Sequence, residues 1–278
     1  MRDPFDLERP LNEATFALFD VETTGLSPAY GHRVCEVACL CVRGGVETGR
    51  FESLVDPERA ISAGSYRVNR ITPEMLAGAP PFSAIAEPLL ALMEDSVLVA
   101  HNAPFDLGFL AKELEMARLA PPEGPIVDTL ALSRRIYSSP SHSLSAITRT
   151  LELPLEPTHR AMSDVQATRN LLDRILDDLE SRWNVTTLAQ VIDFQGGPIP
   201  YPHPRTLPLP PAIAEALESK GRGFMRYVDA TGQETQRIVR PLSVGEQRGY
   251  LYLTAHCYWR DELRTFRLDR VVEMAVED

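Results

Sequence analysis

The chain has 278 residues, 44% of them apolar, and a formal net charge of −11. That length suits two domains with at least one sizeable core, and no apolar run approaches the ~18 residues of a membrane span. The charged start, residues 1–12, lacks the apolar centre of a signal peptide, so the expectation is a soluble, cytoplasmic protein with no membrane partner.

The predicted elements begin with a short apolar run at 15–19 that ends in acid and reads as a strand. A second strand is expected over 34–42 and a third over 47–55, with Gly44 and Gly45 forming the hairpin turn between them. Cys35, Cys39 and Cys41 lie in the second strand at alternate spacing and read as small buried hydrophobes. His32 is near them, but no second Cys-x-x-Cys pair completes a zinc set. Helical periodicity follows over 83–93, a short strand over 96–100, and helices over 105–117, 143–151 and 163–179. A strand meander followed by helices alternating with a strand predicts a layered α/β domain.

The composition changes after Trp183. One short helix is expected over 186–194. Residues 195–211, rich in proline and carrying Gly196 and Gly197, read as a semi-rigid linker. A helix over 212–217 precedes short apolar runs at 224–228, 237–239, 250–255, 265–268 and 271–275, the pattern of a small β-barrel or curled sheet. The expected division is an N-terminal arm 1–13, a domain 14–182, a linker 183–211 and a β domain 212–278. Charge is uneven across it: 212–278 holds 10 basic and 11 acidic residues, against 18 and 28 before it. An acidic total does not exclude nucleic acid, because a nuclease needs only a local basic groove and metal-binding carboxylates add negative charge.

Asp20 and Glu22 are alternate residues at the end of the first strand, so their carboxylates share one face. Two acids so placed repel and raise each other's pKa unless a cation neutralises them, and a hard divalent ion suits oxygen-only ligands. Thr23, Thr24, Gly25 and Leu26 follow, with hydroxyls and backbone N–H groups that suit a phosphate or a terminal sugar, and a side chain that suits a base. His101, Asn102, Phe105 and Asp106 lie between the 96–100 strand and the next helix, placing Asp106 in a first helical turn. A first-turn acid is often only dipole compensation. His159 and Asp164 open the long helix, with Ser163 as a possible cap. A histidine suits proton abstraction from water near neutral pH.

The segments FALFDVETTGL, VLVAHNAPFDLGFL and HRAMSDVQAT, in that order, resemble the three motifs of the DEDDh exonuclease family. This is the superfamily of the proofreading subunit of bacterial DNA polymerase III. HRVCEVACL, ITPEML and VDTLALSRR between them agree, and the resemblance covers roughly residues 15–179. It implies a ribonuclease H-like fold, a central mixed sheet flanked by helices. It also implies two divalent ions, Mg²⁺ or Mn²⁺, with Asp20 bridging them, Glu22 and Asp164 completing the catalytic ion, and Asp106 holding the second. His159 would be the general base. One departure is Asn69-Arg70-Ile71-Thr72 where the family often has His-Gly-Ile-Thr; the metal site is not expected to feel it.

Residues 213–276 resemble a WYL domain, a small Sm- or SH3-like β-barrel. The matching residues include Tyr227, Arg237, Pro241, Tyr252, Leu253, Arg264, Phe266, Asp269 and Arg270, with Leu251 in place of the name-giving tryptophan. The resemblance implies binding of single-stranded nucleic acid or a small nucleotide ligand, through Tyr227, Arg237, Arg240, Tyr252, Arg264, Arg267 and Arg270. Arginines interleaved with Tyr250, Tyr252, Tyr258, Trp259 and Phe266 suit phosphate contact and base stacking. The alternative puts the aromatics in the barrel core and the arginines on a solvated face.

The function expected is 3′→5′ hydrolysis of single-stranded DNA to nucleoside 5′-monophosphates, in repair or processing. RNA 3′ ends are an alternative substrate, and a binding regulator with a vestigial nuclease fold is the non-enzymatic alternative. A folded barrel where a proofreading subunit has its docking tail argues against stable association with a polymerase.

Overall fold

The structure is a computed structural model that describes residues 6–25, 28, 31–61, 63–156, 160–201, 211–219, 221–229, 232–247 and 250–276. The chain divides into two compact units, one built from 1–24, 33–61 and 65–204, the other from 205–278 with the short segments 25–32 and 62–64.

The first unit is built on a five-stranded sheet. Its strands are β1 (Thr15–Thr23), β2 (Val34–Arg43), β3 (Val46–Leu54), β4 (Val97–Ala100) and β5 (Ile126–Asp128), in the order β3-β2-β1-β4-β5. β1, β2 and β3 pair antiparallel, β2 and β3 through a tight turn, whereas β4 pairs parallel with β1 and β5 parallel with β4. Parallel pairing needs crossovers, which the first four helices supply, while the remaining helices of the unit follow β5. The helices are α1 (Ala63–Asn69), α2 (Pro73–Leu76), α3 (Phe82–Met93), α4 (Ala103–Ala117), α5 (Thr129–Ile136), α6 (Leu144–Thr150), α7 (Ala161–Trp183) and α8 (Leu188–Gln195). The mixed sheet between helical layers is the ribonuclease H-like α/β fold.

Strand alternation sorts the core into two clusters. Phe16 and Leu18 of β1 pack with Val165, Leu172, Ile175 and Leu179 of α7 on one face. Ala17, Phe19 and Val21 pack with α3 and α4 on the other. Cys39 and Cys41 lie in the second cluster, and all four cysteines are buried and unpaired, as small hydrophobes in a central strand would be. Among the described residues no helix is long and apolar enough to cross a membrane.

Several elements differ from the sequence reading, α1 and α2 among those it did not expect. The long helix starts at Ala161 with Arg160 as its N-cap, so Ser163 lies inside the helix. The β5 strand and α5 were not expected at all. β5 survives as a three-residue edge because buried Gln195 closes it: Gln195 Oε1 accepts from Asp128 N–H at 3.0 Å, and Nε2 donates to the Ile126 carbonyl at 2.8 Å.

In the second unit, α9 (Pro211–Glu218) packs against a five-stranded antiparallel sheet. Its strands are β6 (Gly223–Val228), β7 (Glu234–Gln247), β8 (Tyr250–Cys257), β9 (Glu262–Arg267) and β10 (Val271–Val276), in the order β10-β6-β7-β8-β9. Its core holds Ile213, Met225, Val239, Val244, Leu253, Ala255, Cys257 and Phe266. β7 runs far beyond the expected 237–239, because Pro241, which interrupts the apolar pattern, sits beside a register shift at 241–243 where a missing N–H is tolerated.

Candidate active site

Asp20 and Glu22 share strand parity with Phe16 and Leu18, so both turn toward the face that α7 covers. Asp164 lies in the first turn of α7. Carboxylate oxygens of Asp20, Glu22 and Asp164 come within 4.8 Å of one another. Asp106 is buried in the first turn of α4, and its Oδ1 accepts from the Val21 backbone N–H at 3.2 Å. It therefore grips β1 at the residue between the two strand acids.

The electrostatics are those of crowded, buried carboxylates. Burial, then the charges of Asp106, Glu22, Asp164 and Glu36, hold the Asp20 carboxyl well above its ordinary range. Burial, then Asp164 and Glu36, push Glu22 up to about 8 against a lowering hydrogen bond from Asn69. Burial raises Asp106 to about 8 despite the Val21 N–H. An all-oxygen set that resists ionisation by mutual repulsion is the donor chemistry a hard divalent cation fits. Asn69 also donates to the Thr23 carbonyl at 3.4 Å. The departure from His-Gly-Ile-Thr thus touches Glu22, one of the converging acids, although the expectation was that it would leave that site alone.

The other candidates have varied surroundings. His159 and Leu26 lie outside the described residues. Thr23 and Thr24 are buried, and Thr24 Oγ1 accepts from Arg33 N–H at 3.0 Å while Thr24 N–H donates to the Arg33 carbonyl at 2.9 Å. Thr24 thereby ties the two ends of the 25–32 segment. At Gly25 a Cβ would overlap the imidazole of His32, so close packing alone demands glycine there. His101 has both ring nitrogens engaged within the protein. Nε2 lies 2.9 Å from the His142 carbonyl, which only accepts, so Nε2 carries the hydrogen and Nδ1 faces the Thr129 hydroxyl at 2.9 Å. Burial lowers its pKa and keeps it neutral. Asn102 is exposed, in the left-handed region at φ 73°, with its N–H held by Asp128 Oδ1 at 2.9 Å. Phe105 is half-buried against Phe109, with ring centroids 5.1 Å apart.

Three residues that the sequence reading left without a role stand beside this site. Asp128 holds Asn102, and buried Glu36 forms an ion pair with half-exposed Arg160 next to Glu22. Arg160 lies in the third motif, and Glu36 and Asp128 in the agreeing stretches between motifs, yet their pairings span the fold.

In the second unit, strand parity divides the candidate ligand residues. Tyr227, Arg237 and Arg264 share the core-facing side with Met225, Val239, Ala255 and Phe266. Arg237 lies over Trp259 at 4.9 Å, and Tyr227 packs edge-on against Phe266. Arg240, Tyr252 and Arg267 face the opposite way, with Arg267 over Tyr250 at 3.8 Å. Arg270 lies in the turn between β9 and β10. The aromatics therefore serve both readings: Phe266 is core, whereas Trp259 is 63% exposed.

A ribonuclease H-like sheet with carboxylates converging at the end of its central strand defines an exonuclease-type nucleic-acid hydrolase domain. Residues 18–172 match the Exonuclease family (RNase_T), and residues 209–276 match the WYL domain; the chain belongs to the Exonuclease family.

Among its relatives, the DNA polymerase III subunit epsilon-like protein of Rhodobacter capsulatus is 39% identical over 66% of this chain and 27% of its own length. The PolC-type DNA polymerase III of Listeria monocytogenes is 34% identical over 67% of this chain and 13% of its own. The chain thus spans about an eighth of the PolC-type relatives' length. Exonuclease X in complex with 5′ overhanging duplex DNA is similar at 27% identity and a TM-score of 0.50, covering 65% of this chain and 99% of that one. Escherichia coli Exonuclease I in complex with a dT13 oligonucleotide shares the fold at 16% identity and a TM-score of 0.55, covering 87% of this chain and 55% of that one.

Proposed function

We propose that the chain is a metal-dependent 3′→5′ exonuclease that releases nucleoside 5′-monophosphates from single-stranded nucleic acid, DNA before RNA. The observation that carries this reading is the approach of the Asp20, Glu22 and Asp164 oxygens within 4.8 Å of one another. Asp20, Glu22 and Asp164 would hold one ion, and Asp20 with Asp106 a second, of Mg²⁺ or Mn²⁺. Such ions neutralise charge on a phosphodiester and lower the pKa of a bound water. The protein's own part is to orient. Asp106 fixes β1 through Val21 N–H, and Asp128 fixes Asn102 beside it. Gly25, Leu26, Asn102 and Phe105 would meet the terminal nucleotide, whereas Thr23 and Thr24 are buried, and His159 would take the proton from the attacking water.

The relatives' and neighbours' names, all exonucleases or polymerase III proteins, support the reaction class. The WYL domain would bind or sense the strand, and the enzyme would act alone in cytoplasmic DNA repair or processing rather than as a fixed polymerase subunit. We assign 14–182 to the nuclease domain and 212–278 to the WYL domain; of the expected linker 183–211, α8 joins the nuclease core through Leu188, Val191 and Ile192. The test is degradation of matched DNA and RNA oligonucleotides with Mg²⁺ or Mn²⁺ and with EDTA. Faster loss of DNA that EDTA abolishes is expected. Faster loss of RNA would move the substrate, and loss in EDTA would overturn the metal-dependent reading.

A further inference from the structure

Glu36 is a fifth carboxylate at the acidic site, and the chemistry above does not use it. It is fully buried, lies on β2 directly opposite Glu22, and its charge helps to raise both Asp20 and Glu22. Like charges opposed across a strand pair are destabilising, so a carboxylate in that place needs compensation. Its oxygens are not among the converging set of Asp20, Glu22 and Asp164. They are occupied by Arg160. Arg160 Nε donates to both Glu36 oxygens at 3.0 Å, and a terminal guanidinium nitrogen donates to Oε1. The Ala161 backbone N–H donates to Oε2 at 3.1 Å.

Arg160 is the N-cap of α7, with extended backbone at φ −127° and ψ 136°, and its own side chain does not cap the helix. Glu36 does so from the neighbouring strand, taking a first-turn N–H and setting negative charge at the positive end of the helix. The Arg160 carbonyl accepts from Asp164 N–H at 3.1 Å. One residue is thus tied through its side chain to β2, through its carbonyl to a metal-site aspartate, and through its peptide bond to His159.

We propose that Glu36 and Arg160 form a clamp that positions Asp164 for attack on the phosphodiester. Both are positioning residues, and the inference rests on the exonuclease reading above. Fixing the first turn of α7 at Arg160 limits where the Asp164 carboxylate can go, and misplacement of a reacting group costs rate more than affinity.

The test compares single-turnover rates and oligonucleotide KM for the full chain and for Arg160→Ala, Arg160→Lys, Glu36→Gln, Asp164→Asn and the Asp164→Asn/Arg160→Ala pair. The Arg160 side chain is 36% exposed, so its truncation does not open the core. Arg160→Ala is expected to slow the reaction about tenfold or more with KM nearly unchanged. Arg160→Lys should recover part of the rate, since an ammonium keeps the charge but loses the two-nitrogen fork. The double variant should be no slower than Asp164→Asn alone, as coupled residues are not additive. Amide exchange over 160–164, read on the same proteins, should quicken in Arg160→Ala and Glu36→Gln. A raised KM at unchanged rate, additive losses in the double variant, or unchanged exchange would overturn the clamp. An inactive wild-type chain would instead sink the exonuclease reading, and the exchange measurement would still decide the clamp.

Discussion

The two units treat their candidate residues in opposite ways. In the first, Asp20, Glu22 and Asp164 arrive from a strand end and a helix start and meet within 4.8 Å. In the second, the seven candidate ligand residues do not meet, because Arg237 and Arg240, like Arg264 and Arg267, stand three apart on a strand and point to opposite faces. An even spacing on a strand keeps side chains together, and an odd one parts them. Convergence therefore follows from spacing combined with element boundaries, while membership of a motif says nothing about which face a residue takes. The first unit concentrates negative charge that needs a cation. The second carries two separate arginine–aromatic stacks, Arg237 on Trp259 and Arg267 on Tyr250.

The largest effects that sharpen this contrast belong to the convergent site. Replacement of the proposed base, His159→Ala, should cut the rate about 10²–10⁴-fold, the range for removal of a general acid–base group. A rate unchanged within error at neutral pH would remove His159 from the mechanism.

The crowding of the acids predicts a specific pH dependence of stability. Glu22 and Asp106 carry folded-state pKa values near 8, above those of an unfolded chain. The folded chain thus binds these protons more tightly. In EDTA their contribution is full below about pH 4, is lost as the pH rises to about 8, and then levels off. After discounting for the partial exposure of Glu22, the effect is on the order of a few kcal/mol. Calorimetry in EDTA should show Glu22→Gln melting above wild type at pH 8 and close to it at pH 4. Mg²⁺ or Mn²⁺ should raise the wild-type Tm at pH 8 and leave Glu22→Gln less affected. A Glu22→Gln protein less stable than wild type at pH 8 without metal would contradict the crowding.

The divided face predicts a smaller, asymmetric result. Trp259→Ala removes an exposed ring stacked by Arg237, and should weaken binding of a single-stranded oligonucleotide by roughly 1–3 kcal/mol. Arg240→Ala, on the other face, should change it by less than about threefold at matched salt. Fluorescence anisotropy on a background of Asp164→Asn reads binding without turnover. Equal losses would mean that both faces engage the strand.

Much of the catalytic unit was legible in the sequence because its signals are local. The β1 strand, the helix over 161–183 and the acid at each element boundary come from short patterns of apolar and acidic residues. What stayed hidden depends on partners far along the chain. The three residues of β5 carry no periodicity, and the edge is closed by Gln195, 67 positions from the Asp128 N–H that it accepts. Glu36 reads as a polar interruption in a cysteine-rich strand, and only the fold brings Arg160 to it across 124 positions. Similarly, Arg33 forks onto buried Glu113 of α4 at 2.8 Å, bracing the strand start beside Thr24. In the second unit, Pro241 broke the apolar pattern of a strand that continues past it.

The most direct measurement of the central claim is digestion of a 5′-labelled single-stranded oligonucleotide by the full chain and by Asp20→Ala, at neutral pH with Mg²⁺ or Mn²⁺. The expected result is a ladder shortening from the 3′ end with release of nucleoside 5′-monophosphates by wild type, and an intact strand with Asp20→Ala. An intact strand with wild type, or an equal ladder with Asp20→Ala, would contradict a carboxylate-held metal site that hydrolyses phosphodiesters.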